Sequence, residues 1–444
     1  MPSPASSQAV STSADLNSQN PSEKKVVIGM IGLGTVGSGV FKIFQNQPEI
    51  FFQKIAVKDA SKTRNIDDLN LDLLSQDPYA VVRDPETQVI VELMGGAELA
   101  RQLVTEALNN GKHVVTANKE LIAKHGPELF DLARKNNVRI LFEGAVAGGI
   151  PIIMPLKLSL VANRIQEIAG ILNGTTNYIL TKMTQEGWSF DQALAEAQAK
   201  GFAEADPTND VEGFDVSYKI AVLSLIAFKQ VVDPLAIFRE GITRITAEDI
   251  EHARELGYVI KLIGLAKMGD DGRLDIRVHP MLIPNDHPLS NVQNEFNAIF
   301  VKGDAVGEVM FYGRGAGEMP TASAVAADIL AVATGLLKGN EPIPSMIIDP
   351  ATPANLLPVA ETQNKYYLRL NTKDKPKVMG HLGNACGDAG VSLEAVTQKG
   401  INQDGTAAIV LLTQAVSEKQ MNQALETIRQ QESTRDIGCL LRVL

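Results

Sequence analysis

Val26-Val27-Ile28-Gly29-Met30-Ile31-Gly32-Leu33-Gly34-Thr35-Val36-Gly37 is an apolar, β-branched run that breaks into three spaced glycines. The pattern predicts a strand feeding a phosphate loop, with a helix following from Ser38 to Gln45. Gly32 allows the tight turn, Gly34 lets backbone approach a pyrophosphate, and Gly37 permits close packing of strand and helix. The helix start aims unpaired N–H groups, including those near Thr35 and Val36, at the anion, so a dinucleotide is the expected ligand of Gly32 to Gly37, Leu33 included.

Outward from this loop, Lys54 to Asp59, Val89 to Leu93, Lys112 to Thr116 and Val138 to Phe142 read as further strands between amphipathic helices. The fold class is therefore α/β, beginning with a Rossmann-type doubly wound parallel sheet over residues 24–150. Asp59 stands at the distance expected for a contact to the ribose hydroxyls of NAD, whereas Lys58, Lys62 and Arg64 suit the additional phosphate of NADP. NADP is favoured and NAD stays open.

After Pro151 the pattern changes to mixed α+β, over residues 151–319. Strands are expected at Ile165 to Leu172, Leu274 to Leu282 and Glu308 to Tyr312, and helices at Tyr178 to Glu186, Phe190 to Lys200 and Val216 to Ala227. An alanine-rich helix within 320–340 is expected to return to the first domain. The proline-rich residues 341–363 read as a linker. Residues 364–444 run strand, helix, strand, strand, helix, strand, an order that fits a ferredoxin-like module.

Composition narrows the function class. A net charge of -11 argues against nucleic acid and anionic membranes as partners. No apolar run approaches the roughly 20 residues that span a bilayer. The two cysteines, Cys386 and Cys439, make no disulfide framework and fit a reducing compartment. Residues 1–23 carry neither an apolar core nor arginine, so a disordered tail and a cytoplasmic protein are expected. The six histidines are scattered, which indicates no zinc site.

The segment from Gly201 to Lys219 holds five carboxylates, Glu204, Asp206, Asp210, Glu212 and Asp215. Asp215 and Lys219 are four residues apart and share one helix face. The helix then continues as Ile220-Ala221-Val222-Leu223, apolar nearly all round, so Lys219 stands at the mouth of a buried helix. A catalytic pair is preferred there to a surface ion pair. Asn173, Thr175 and Thr176 supply an amide and two hydroxyls at a turn, either for a substrate or to cap the helix that follows. Gly317 and Glu318 offer backbone amides, either to the nicotinamide side of a cofactor or as a helix start. The loop from Glu143 to Ile150 combines a carboxylate with free carbonyls, oxygen ligands that suit a hard cation, and equally reads as a hinge of small residues.

The Gly32–Gly37 loop, Thr116-Ala117-Asn118-Lys119, Glu143 to Pro151, Leu172 to Leu180, the acidic segment, and Gly313-Arg314-Gly315-Ala316-Gly317-Glu318-Met319-Pro320 resemble, in order, the signature of the homoserine dehydrogenase family. The last module resembles an ACT domain. The resemblance implies reversible NAD(P)-linked interconversion of L-homoserine and L-aspartate 4-semialdehyde. It also implies that Glu204 and Asp215 hold substrate, with Asp210 a second contact, and that Lys219 exchanges the hydroxyl proton. Lys119 would lie between nicotinamide and substrate, with Thr116 and Gly317 lining the cofactor. A monovalent cation, usually sodium, would sit on Glu143 and the carbonyls of Val146, Gly148 and Ile150. A homodimer or homotetramer and feedback by threonine complete what is implied. Lys377 departs from the ACT pattern, standing where glycine normally follows the proline, so the module is read as an effector site or as an oligomer-building sheet.

Two rivals are weighed. Aspartate-semialdehyde dehydrogenase chemistry needs a cysteine nucleophile, and both cysteines lie in the last module. A non-catalytic amino-acid sensor is disfavoured by the presence of Lys119, Glu204, Asp215 and Lys219. No kinase-like segment precedes the phosphate loop.

Overall fold

A computed structural model describes residues 25–67, 69–339, 351–399 and 405–444. The expected tail at 1–23 and residues 341–350 of the expected linker lie outside them.

The first sheet is all parallel, in the order Leu74–Ser75, Ile50–Ala56, Val26–Ile31, Val89–Glu92, His113–Thr116, Ile140–Leu141. Strands covered on both faces read as continuous β-branched runs, which is why Val26–Ile31 and Val89–Glu92 stood out. The second strand stops at Ala56 rather than Asp59. There the Asp59 carboxylate accepts the Ser61 amide at 2.8 Å and its hydroxyl at 2.6 Å, closing a turn.

Helix Thr35–Phe44 follows the glycine loop, and helix Glu318–Lys338 packs against it. Gly39 makes the contact intimate: a Cβ there would lie 2.8 Å from the Ala322 methyl. Lys42 and Glu318 pair across the two helices at 2.7 Å. Glu318–Lys338 is long and apolar enough to cross a bilayer by length and composition. The expectation of no such run is corrected accordingly; here Val325, Ile329 and Val332 of this helix are buried against the protein.

A second, ten-stranded sheet runs from Gly307–Arg314 through Phe296–Gly303, Ile165–Ile171, Tyr258–Met268 and Leu274–Pro284 into the C-terminal strands Thr434–Val443, Tyr366–Lys373, Thr406–Thr413 and Leu393–Lys399, with Phe238–Arg239 on a side branch. The junction is a short parallel pairing, Met281 with Arg442 and Leu282 with Val443. Two buried arginines fasten it: Arg442 meets Glu240 at 2.8 Å and Glu418 at 2.6 Å, and Arg369 meets Asp249 at 2.7 Å and Glu248 at 2.9 Å. Within the last eighty residues the strands are antiparallel, with helices Val378–Asp388 and Glu418–Arg429 between them.

Helix Phe214–Phe228 lies on the central strands because Gly264 leaves room; a Cβ at 264 would sit 2.8 Å from Val216 and 3.4 Å from Ile220. That close approach sets the helix that carries the candidate lysine.

Candidate active site

The nucleotide side is built of backbone. Gly32 has φ +103°, and a Cβ on it would lie 2.7 Å from the Leu93 carbonyl; a Cβ on Gly37 would collide with the carbonyl of Gly32. Leu33 is buried beneath the turn, while Gly34 and Thr35 are exposed at the start of helix Thr35–Phe44 with open space above Gly34. A dinucleotide phosphate fits this cradle, where unpaired amides and the helix dipole converge. Lys58 is exposed in the turn beyond the second strand, and Arg64 donates to the carbonyls of Asp59 and Lys62 at 2.8 and 2.9 Å. The Ser61 hydroxyl and amide hold the Asp59 carboxyl below its ordinary value. The Thr116 side chain, at the end of its strand, is fully buried and its hydroxyl donates to Glu92 at 2.6 Å.

Opposite the glycine loop lies a cleft of about 620 Å³, lined by Val36, Lys119, Glu204, Asp210, Asp215, Lys219 and Gly317 among others. Asp215 and Lys219, one turn apart, meet at 2.7 Å with side chains each 12% exposed. Lys219 Nζ donates a second bond to the Leu172 carbonyl at 2.7 Å. Lys119 opens helix Lys119–Lys135 on the nucleotide side and reaches the other Asp215 oxygen at 3.2 Å. Asn173 takes the capping role and also binds the carboxylates of the cleft. Its oxygen caps helix Gly174–Glu186 through the Thr176 amide, and its amide nitrogen donates to Asp210 at 2.6 Å and Asp215 at 3.0 Å. The Thr175 and Thr176 hydroxyls are engaged internally, on Phe202 and Asn173.

The electrostatics follow from this packing. Burial alone pushes the Asp215 carboxyl up, but Lys219, Lys119 and Asn173 outweigh it and hold the group well below the carboxylate range. Asp215 in turn raises the affinity of Lys119 for its proton against the desolvation that opposes it. Burial raises Asp210 and the like charge of Asp215 adds to the rise, against the Asn173 bond and the two lysines. Glu204 is exposed at the rim, where Gln198 holds its backbone carbonyl at 3.0 Å. Sequence reading missed the Glu295–Arg314 pair, 2.9 Å, which also lines the cleft. Arg314 lay inside a quoted motif, and Glu295 gave no signal because the adjoining strand was not recognised. A larger cavity, about 910 Å³, lies between the central sheet and helix Glu418–Arg429 and includes neither lysine.

At the junction of the two sheets the Glu143 carboxylate accepts three amides, from Ile152, Ile153 and Met154, at 2.6, 2.9 and 2.8 Å. Its own amide donates to Asp328 at 2.8 Å. Burial raises the Glu143 carboxyl while the amides oppose the rise, and burial raises Asp328 strongly. The Glu143 side chain therefore does not fit the part of a cation ligand. Val146 and Ile150 are buried beside it, and the chain turns through left-handed backbone at Ala147 and Gly148. Among the described residues no group of three or more His, Cys, Asp or Glu is arranged to hold a metal ion.

Comparison with known proteins gives a concordant result. A family model described as homoserine dehydrogenase matches residues 151–330, and one described as its NAD binding domain matches residues 32–143. A homoserine dehydrogenase of Synechocystis is 45% identical over 94% of this chain and 99% of its own length. This chain belongs to the homoserine dehydrogenase family. The homoserine dehydrogenase of Bacillus subtilis is 41% identical over 95% of this chain and 98% of its own. The crystal structure of the Thiobacillus denitrificans homoserine dehydrogenase superposes with a TM-score of 0.88 at 41% identity, covering 95% of this chain and 98% of that one. A hyperthermophilic archaeal homoserine dehydrogenase mutant in complex with NADPH aligns at a TM-score of 0.61 and 29% identity, covering 70% of this chain and 98% of that one. The residues matched by the two homoserine dehydrogenase models contain the glycine loop, Lys119, Asp215 and Lys219, and end before the C-terminal strands.

Proposed function

We propose that this chain interconverts L-homoserine and L-aspartate 4-semialdehyde with NAD(P), in the biosynthesis of threonine, methionine and isoleucine. The observation that carries the reading is the Lys219 ammonium, fixed by Asp215 and the Leu172 carbonyl in the cleft shared with the glycine loop. Bound nicotinamide supplies or accepts the hydride. With two of its three protons committed, Lys219 directs the third to the substrate oxygen, protonating it in reduction and taking the proton back in oxidation. Lys119, bonded to the other face of Asp215, sits between the nucleotide side and the substrate side. Asp210 and Glu204 are the carboxylates for the substrate ammonium, with Asp215 fixing both lysines. Gly32 to Gly37, Lys119 and Gly317 hold the cofactor; the exposed Lys58 favours NADP. Thr116 contributes through Glu92 rather than by touching the dinucleotide.

We divide the chain into residues 24–150 completed by the helix expected within 320–340, residues 151–319, and residues 364–444; the separate parallel sheet supports the first unit. The monovalent cation is assigned to the main-chain carbonyls of Glu143, Val146, Gly148 and Ile150, not to the Glu143 carboxylate. Unchanged activity after exhaustive exchange into sodium- and potassium-free buffer would remove it. The strand order of the last eighty residues, together with their two helices, supports the ferredoxin-like ACT reading; a threonine effector and a cytoplasmic dimer or tetramer are proposed with it on the family resemblance alone. The deciding experiment follows NADPH and NADH absorbance with aspartate semialdehyde, with and without threonine. Oxidation of neither cofactor would refute the reading, and oxidation indifferent to threonine would refute the effector.

A further inference from the structure

Glu92 ends the strand Val89–Glu92, is fully buried, and is absent from the cleft lining. Strand order puts it beside the glycine turn, where Val26–Ile31 is flanked by Ile50–Ala56 on one side and Val89–Glu92 on the other. That reversal point is where doubly wound sheets bind dinucleotides.

Its two oxygens hold two different loops. One accepts the Met94 amide at 2.8 Å, fixing the Leu93–Met94 peptide that presses on Gly32. The other accepts the Thr116 hydroxyl at 2.6 Å, and the Thr116 oxygen accepts the Asn118 amide at 3.0 Å. Asn118 closes the circuit: its side-chain nitrogen donates to the carbonyls of Met94 and Gly96 at 3.2 and 2.8 Å, while its oxygen caps helix Lys119–Lys135 through the Leu121 amide. The exit of the circuit is Lys119, whose ammonium meets Asp215.

Burying a carboxyl here is costly, and its pKa rises to about 7 against the bonds from Thr116, Met94 and Asn118. A glutamine offers one acceptor oxygen and an NH2 that only donates, so with the oxygen on the Met94 amide the Thr116 hydroxyl must give up its donation. We propose that Glu92 is a positioning residue for hydride transfer: it locks the Leu93–Gly96 loop against the Gly32 turn and fixes the start of the Lys119 helix, so that the cofactor crevice and the Lys119–Asp215 pair are set as one unit. This rests on the dehydrogenase reading of the cleft.

The test compares full-length Glu92→Gln and Thr116→Val, singly and combined, with Asp84→Asn as a control. Asp84 is a buried carboxylate at the opposite end of the same sheet, paired with Lys54 at 3.0 Å. NADPH affinity is read by fluorescence titration, kcat and KM with aspartate semialdehyde, and stability by thermal melting. Glu92→Gln is expected to lose about tenfold in both NADPH affinity and kcat, the worth of one buried hydrogen bond left unmade. The double variant should lose no more than either single one, because both cut one circuit. NADPH affinity and kcat within twofold of wild type, additive losses in the double variant, or equal losses in Asp84→Asn at matched stability would each overturn the proposal. If Glu92→Gln does not fold, Thr116→Val alone decides by the same criteria. An inactive wild type that still binds NADPH would refute the functional reading, leaving Glu92 to be judged on the binding arm.

Discussion

Replacing Lys219 by methionine removes the ammonium while keeping most of the stem. The group lost bonds Asp215 and the Leu172 carbonyl, both at 2.7 Å, and aims its remaining proton into the cleft. A positioned proton donor contributes about 10²- to 10⁴-fold, so kcat should fall by that factor, equivalent to roughly 3–5 kcal/mol of barrier. Stability should fall less. Breaking a buried ion pair costs about 3–5 kcal/mol when the partner is left alone, but Asp215 keeps Lys119 at 3.2 Å and Asn173 at 3.0 Å. A loss of about 1–2 kcal/mol is expected, well inside the roughly 5–15 kcal/mol that hold a domain folded. The glycine loop is untouched, so NADPH binding should not change. Steady-state NADPH oxidation with aspartate semialdehyde, a fluorescence titration of NADPH, and a thermal melt read the three quantities separately. A folded Lys219→Met with kcat within about tenfold of wild type would refute Lys219 as the proton donor.

Gly37→Ala should abolish tight NADPH binding and destabilise the protein, because the new methyl collides with the Gly32 carbonyl and opens the turn; unchanged affinity in a titration would count against the phosphate-loop assignment. Asp215 has a folded-state pKa below its ordinary 3.8, so it contributes stability above that pH and loses it as the pH falls toward the folded value. Below about pH 4 wild type should lose stability more steeply than Asp215→Asn, by up to about 1.4 kcal/mol per pH unit in acid-denaturation curves. Lys377 adopts left-handed backbone, φ +73°, ahead of helix Val378–Asp388. Lys377→Gly should therefore raise the unfolding free energy by up to about 1 kcal/mol in denaturant melts, and a fall would refute backbone strain there.

The parallel sheet was legible because strands buried on both faces are written as unbroken β-branched runs ending in glycine. Leu74–Ser75 was not, since two residues show no period. Tyr258–Met268 hid because Lys261 interrupts its apolar pattern; that ammonium is buried and donates to Asn177 and the Val292 carbonyl. The lysine and aspartate of the cleft were readable from their four-residue step at the mouth of an apolar helix. The amide partners of Glu143 were not legible, as they lie nine to eleven residues downstream and only the folded turn brings them back. Glu92 drew no attention inside the expected strand Val89 to Leu93, and nothing local showed that the Thr116 hydroxyl turns onto it. Strand order, which no local pattern carries, buries both against each other.

A shortened enzyme cannot be made from this chain by a simple cut after Lys338. Met281 and Leu282 would lose their strand partner, leaving that side of Leu274–Pro284 to the short Phe238–Arg239 pairing, and Asp249, fully buried, would be stranded without the guanidinium of Arg369. A minimal version of this protein would need Asp249 made apolar and the bared edge charged before it stayed in solution.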